Sequence, residues 1–352
     1  MTVPTPWGAV LPTQVWLGFD PASDHAPTSG GRGAQRWSED LEALGDAGVR
    51  HVRIGVDWSR LMPTAGRVSG GWVEWYRTVA EAARRRDLEV WWCLQERSVP
   101  AWFANDGGFA DRRLTGRWWP RWVEAVTDHL GDLASGWVPI DDPAGVARRA
   151  GGDDLARQSE ALTAVAVAWR DAWRLLRGPV PVATCLRVGI VRPADHTVPA
   201  QQEARERDHL MWRLWLQAWR LGVLALPGRG GDEIDDLAGS LDVFGVFVNG
   251  ADAASAVEAE DLIMTVLERS GDQGPDRPVH ITVRPGHPDL ERCAEITAGM
   301  QTAVTSATEQ GIDVTQRWVA PGIAAAGAPD GLLDTERRPT AIAEALGQDR
   351  PR

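Results

Sequence analysis

The sequence predicts a single (β/α)8 barrel, and three observations carry that expectation. Its 352 residues suit one large α/β domain. Eight short apolar runs rich in Val, Ile and Trp alternate with eight amphipathic stretches along the chain. Most of these runs lack apolar–polar alternation, which is how strands covered on both faces read. A doubly wound open sheet is the runner-up, but no glycine-rich dinucleotide turn follows the first run.

Taken in order, the expected strands are 15–19, 49–56, 88–94, 136–140, 180–188, 241–248, 278–283 and 312–320. The expected helices are 38–48, 71–87, 118–134, 155–177, 200–224, 255–270, 288–310 and 337–347. The first of them opens on Ser38 as N-cap and closes on Gly48. One domain is expected over 1–352, with an ordered core over 14–347 and short flexible termini. Segments 95–117 and 189–210 follow the third and fifth strands, so they fall on the C-terminal rim where barrel active sites are built.

The chain carries 37 basic and 49 acidic side chains, a formal charge of −12, and every basic residue is Arg. Without lysine there is no Schiff-base amine and no phosphate-loop lysine. The acidic balance argues against nucleic acid as a partner, since such binding needs a positive footprint. No apolar run approaches bilayer length and no signal peptide is read at the N-terminus, so the expected location is cytoplasmic. Cys93, Cys185 and Cys293 form no CxxC pair and are read as buried thiols in a reducing compartment. No cofactor is expected. Nineteen tryptophans face one tyrosine, Tyr76, and most fall at helical spacings of three or four, which suits core packing. Trp58, Trp102 and Trp318 are the exceptions, candidates for stacking on a ligand ring at the rim. The apolar 208–221 helix is read as either buried or an oligomer contact.

Glu39-Asp40, Gly48-Val49, Arg53, Trp58-Ser59-Arg60 and Pro63 form a pattern that resembles the family 1 glycoside hydrolases, retaining β-glucosidase-type barrels. Ser98–Trp102, Gly107–Phe109 and Ile140–Pro143 extend the resemblance. It implies a glycoside substrate and two catalytic carboxyl groups about 5–5.5 Å apart. It also implies departures. The nucleophile of the family motif falls on Val283 within Ile281–Gly286, and the acid/base glutamate falls on Asp142. The asparagine before it becomes Asp141, a His-Trp pair becomes Glu96-Arg97, the strand-one glutamine falls at His25, and an Asn-Tyr pair becomes Phe247-Val248. Arg53 persists. The implied binding set is therefore His25, Arg53, Asp57, Trp58, Arg97, Asp141, Arg284 and Trp318.

The expectation is a catalytically degenerate family 1 barrel that keeps a carbohydrate-like pocket. Arg53 is read as paired with Asp57, Asp141 or Asp142, and Arg284 as filling the nucleophile region and pairing with Asp142. An active glycosidase with relocated carboxylates is the alternative, with Asp142 as acid and Glu96 or Asp57 as partner. A third reading is an anion- or phosphosugar-binding barrel using Arg53, Arg97 and Arg284, whose forks suit oxyanions. Asp57, Glu96, Asp141 and His25 suit a metal by ligand type but not by spacing, so none is expected.

Overall fold

Seven of the eight apolar runs form strands where the sequence places them, in a computed structural model that describes residues 6–11, 36–96, 98–152, 154–226, 230–253, 255–323 and 330–347. The strands are β1 (Trp7–Leu11), β2 (His51–Gly55), β3 (Glu89–Cys93), β4 (Gly136–Val138), β5 (Leu186–Val188), β8 (Phe244–Asn249), β9 (Val279–Arg284) and β10 (Val314–Val319). Between β5 and β8 lies a small antiparallel hairpin of β6 (Val223–Ala225) and β7 (Gly231–Glu233), which the sequence reading missed. The large sheet runs β4-β3-β2-β1-β10-β9-β8-β5 with every pairing parallel. It closes where 181–185 meets the end of β4. Trp137 N–H donates to the Pro181 carbonyl (2.9 Å), Ala183 N–H to Trp137 (2.8 Å), and Asp142 N–H to Cys185 (2.8 Å). Eight parallel strands are thus joined into one (β/α)8 domain.

The first strand is a correction: it is Trp7–Leu11, ahead of the expected 15–19 run, which lies outside the described residues. Helices α1 (Arg36–Asp46), α2 (Trp58–Leu61), α3 (Gly70–Arg84), α4 (Ala101–Asn105), α5 (Arg112–Leu130), α6 (Pro143–Gly151) and α7 (Leu155–Leu176) serve the first half. The expected 200–224 helix is instead α8 (Val198–Asp208), a π-helical turn (His209–Arg213) and α9 (Leu214–Leu221). Then come α10 (Ala256–Gln273), α11 (Leu290–Glu309) and α12 (Ala341–Gly347).

Alternation along each strand separates two cores. Leu11, Ile54, Trp92, Val248, Ile281, Val283 and Val319 belong to the apolar layer between strands and helices. Val10, Trp91, Cys93, Val138, Cys185, Phe247 and Trp318 form a second cluster inside the barrel. Trp91 meets His280 (5.1 Å between ring centroids) and Trp318 (5.8 Å), on strands that are not its neighbours, so these rings meet across the bore. Gly8 and Gly136 make room for them, because a Cβ at either would collide with Trp318 or Trp91. Burial, with His51 and Arg53 close by, drives the His280 imidazole down to about 3, so it stays neutral at pH 7.

The tryptophans mostly pack the outer layer. Trp58 is stacked on Trp122 (5.3 Å) and lies against Phe103 (4.7 Å). Trp119 and Trp122 donate their indole N–H to the carbonyls of Ala168 (2.8 Å) and Leu94 (3.1 Å), which satisfies a polar atom inside an apolar layer. Truncating one such ring costs roughly 3–5 kcal/mol. Trp212, Trp215 and Trp219 are likewise buried, so the apolar face of 208–221 is spent on the protein's own core.

Candidate functional site at the barrel mouth

The strand C-termini gather charged side chains at one end of the barrel. Arg53 on β2 points inward and is buried; its Nη1 donates to Cys185 Sγ (3.1 Å) and its Nη2 lies 3.9 Å from Asp141 Oδ1. Asp141 is itself buried, and that Oδ1 finds no hydrogen-bond partner among the described residues. Burial pushes the Cys185 thiol well up, so it meets the guanidinium as a neutral thiol. Cys93 sits nearby on β3, also buried, with its thiol raised for the same reason. Of the three partners expected for Arg53, the structure assigns Asp141.

Asp142 follows in a left-handed backbone conformation (φ 54°, ψ 69°), and this turns its carboxylate onto the start of α6. There Oδ1 accepts the Gly145 N–H (3.1 Å), with Pro143 at the first helical position where a missing N–H is harmless. Oδ2 lies 3.6 Å from Arg187 Nε. The Arg187 guanidinium in turn lies over the Phe247 ring at 4.2 Å. Burial first, and the Asp141 charge second, raise the Asp142 carboxyl above its ordinary value, against the pull of Arg187 and Gly145 N–H. The residue at the acid/base position is therefore a helix cap beside a guanidinium.

β9 presents His280, Thr282 and Arg284 to the barrel side, whereas Val283 lies fully buried on the helix side. Neither face of this strand carries a carboxylate. Arg284 does not pair with Asp142, as expected from sequence, but with Asp330 (Nε to Oδ2, 2.8 Å), an acid that is almost wholly buried. Asp57 is also a correction: it caps α2, accepting from Ser59 N (3.0 Å) and Ser59 Oγ (2.5 Å), with Arg60 Nε at 3.5 Å. Trp58 and Trp318 are corrected too, since both are buried in packed layers and neither offers a face at the rim.

Glu96 stands half-buried after β3, close enough to Cys93 to bear on its thiol. His25 and Arg97 lie outside the described residues. Arg53 and Arg284 each face an acid of their own, so they do not form a shared anion site. Among the described residues no three His, Cys, Asp or Glu side chains are grouped to hold a metal ion. Sequence reading missed Arg187 and Asp330. The alternation Leu186-Arg187-Val188 was a signal for the first; nothing near Asp330 in sequence pointed to Arg284.

Comparison with known proteins gives the site its context. Residues 24–224 match the sequence profile of glycosyl hydrolase family 1, more than half of the chain. The chain belongs to this family. A 109-residue segment is 23% identical to β-glucosidase A of Thermotoga maritima, covering 31% of this chain and 24% of that protein. A 116-residue segment is 32% identical to the chloroplastic galactolipid galactosyltransferase of Arabidopsis thaliana, covering 30% of this chain and 18% of that protein. The matched segment thus spans a quarter or less of these relatives. Over the whole fold, the chain is similar to the family 1 β-glucosidase from Exiguobacterium antarcticum (TM-score 0.80, 15% identity, 99% of this chain and 98% of that one). The family 1 β-glucosidase from Thermotoga maritima is similar at TM-score 0.77 and 15% identity, over 99% and 96% of the two chains. No described helix is long and apolar enough to cross a membrane.

Proposed function

We propose that this family 1 barrel does not act as a retaining glycosidase and instead keeps a carbohydrate-like binding mouth without the hydrolytic pair. One observation carries the reading: β9 offers Arg284 to the mouth and Val283 to the helices, so this strand supplies no nucleophilic carboxylate. A retaining reaction needs two carboxyl groups at about 5–5.5 Å, one of which forms the glycosyl ester. Asp142 alone cannot serve both roles. The Thermotoga maritima β-glucosidase has been solved with castanospermine and with deoxynojirimycin, which supports a small sugar-like ligand for a barrel of this form.

The test is hydrolysis of an aryl β-glucoside by the purified chain beside its Glu96→Gln/Asp142→Asn double variant. Equal rates at the level of buffer are expected. Turnover well above the double variant, or a mass increment after incubation with a 2-fluoro glycoside, overturns the proposal. A second reading is favoured by the burial of the Asp142 carboxyl, which raises its proton affinity, the direction a general acid needs. In that reading Glu96 is the partner, Asp57 being committed to α2, and the reaction inverts with carboxyls about 6.5–9.5 Å apart. Its signature is a rate that falls as pH rises through the Asp142 titration and vanishes in Asp142→Asn.

A further inference from the structure

The segment 189–193, which follows β5, is flanked by two clefts of about 510 and 570 Å³. Each has the size of a small-molecule site. Their lining reverses the charge of the chain. The whole protein carries −12, yet six arginines against three acids line the two clefts. In the first, Asp208 is already saturated: it takes both Arg269 terminal nitrogens at 2.8 Å and Arg213 Nε at 3.1 Å. The π-helical turn over His209–Arg213 forms part of this wall and is pinned by His209 Nε2 to the Ala225 carbonyl (2.6 Å). Such turns recur at functional sites because they displace a side chain from regular helical register.

The second cleft reaches the barrel mouth through Arg187 and Asn249, at the ends of β5 and β8. Arg192 from the loop and Arg207 from α8 also line it, both exposed, and neither makes an ion pair or hydrogen bond with a described residue. Glu258 and Asp261, from the first turns of α10, supply its negative groups. We propose that this second cleft binds a small molecule bearing a phosphate or carboxylate, held by Arg192 and Arg207 with Arg187 and Asn249 at its inner end. Guanidinium forks match either oxyanion with paired, charge-assisted hydrogen bonds. The net acidity of the chain disfavours a polyanion such as nucleic acid, and a cleft of this size favours a compact ligand. Glu258 and Asp261 place negative charge on the α10 side, which keeps the anion toward α8. The site stands whether or not the mouth hydrolyses glycosides.

The experiment titrates inorganic phosphate and, separately, malonate into the full chain at ionic strength matched with chloride. Melting temperature and calorimetric affinity are the readouts. A melting temperature that rises with concentration of at least one anion is expected, and the stronger of the two identifies the source of the charge. Arg192→Ala/Arg207→Ala should weaken that anion at least about tenfold, the equivalent of one charged hydrogen bond. Its own melting temperature without anion should match the parent, since both residues are exposed and unpaired among the described residues. Glu258→Gln/Asp261→Asn should tighten binding. No rise above chloride for either anion, or equal affinity in the double arginine variant, overturns the site.

Discussion

The ends of β4 and β9 both open on the barrel mouth, yet they bring opposite charges to it. β4 leads into two carboxylates with separate partners: Asp142 meets the Gly145 N–H three residues on, and Asp141 meets the inward Arg53 of β2. β9 ends in a guanidinium, and its answer comes from 46 residues away, from buried Asp330. The difference teaches that the mouth is neutralised piecewise, by pairs belonging to separate elements, and not by one shared network. Each pair should therefore break alone.

The largest effect is expected where both partners are buried. Asp141→Ala leaves Arg53, among the described residues, facing the neutral Cys185 thiol without its acid, at a cost of about 3–5 kcal/mol in urea unfolding. A loss below about 1 kcal/mol would mean that Arg53 is solvated from the mouth and that the β4 end is not closed at all. Asp330→Ala should cost less, about 1–2 kcal/mol, because Arg284 is 40% exposed and can turn to water. If instead it matches Asp141→Ala, the two strand ends are equivalent and the contrast fails.

Asp142→Ala removes a helix cap and should cost about 1 kcal/mol. Its titration sharpens the point. The folded state raises this carboxyl above 3.8, so it holds the proton more tightly than the unfolded chain does. The resulting stabilisation is complete below 3.8 and is lost as pH rises through the folded value. Asp142→Asn keeps a capping oxygen and abolishes the titration. Its melting temperature should gain on the parent's as pH is raised from about 4 to about 7. A constant difference across that range would place Asp142 in water.

The barrel was legible because strands buried on both faces are continuous apolar runs, and seven of them stood out. The first did not. Trp-Gly-Ala-Val-Leu at 7–11 is short and small-residued because Trp318 lies on Gly8, a demand made by a strand 310 residues later in the chain. The 15–19 run is more apolar and drew the assignment. Asp142 shows a different failure. Asp-Pro-Ala-Gly is a helix-start signal, with Pro at the first helical position, but the resemblance to a catalytic motif outweighed it. Trp58 and Trp318 were misplaced because spacing reports which side of a strand or helix a ring occupies, not its depth. Arg284 was read as pairing with Asp142, while its partner Asp330 lay in an Ala- and Gly-rich stretch with no pattern to read.

The rings of Trp91, His280 and Trp318 have one more consequence. They pack across the bore below the charged end, so among the described residues the interior is approached from the strand C-termini. A tether or fusion attached at the opposite pole should therefore leave traffic at the mouth undisturbed.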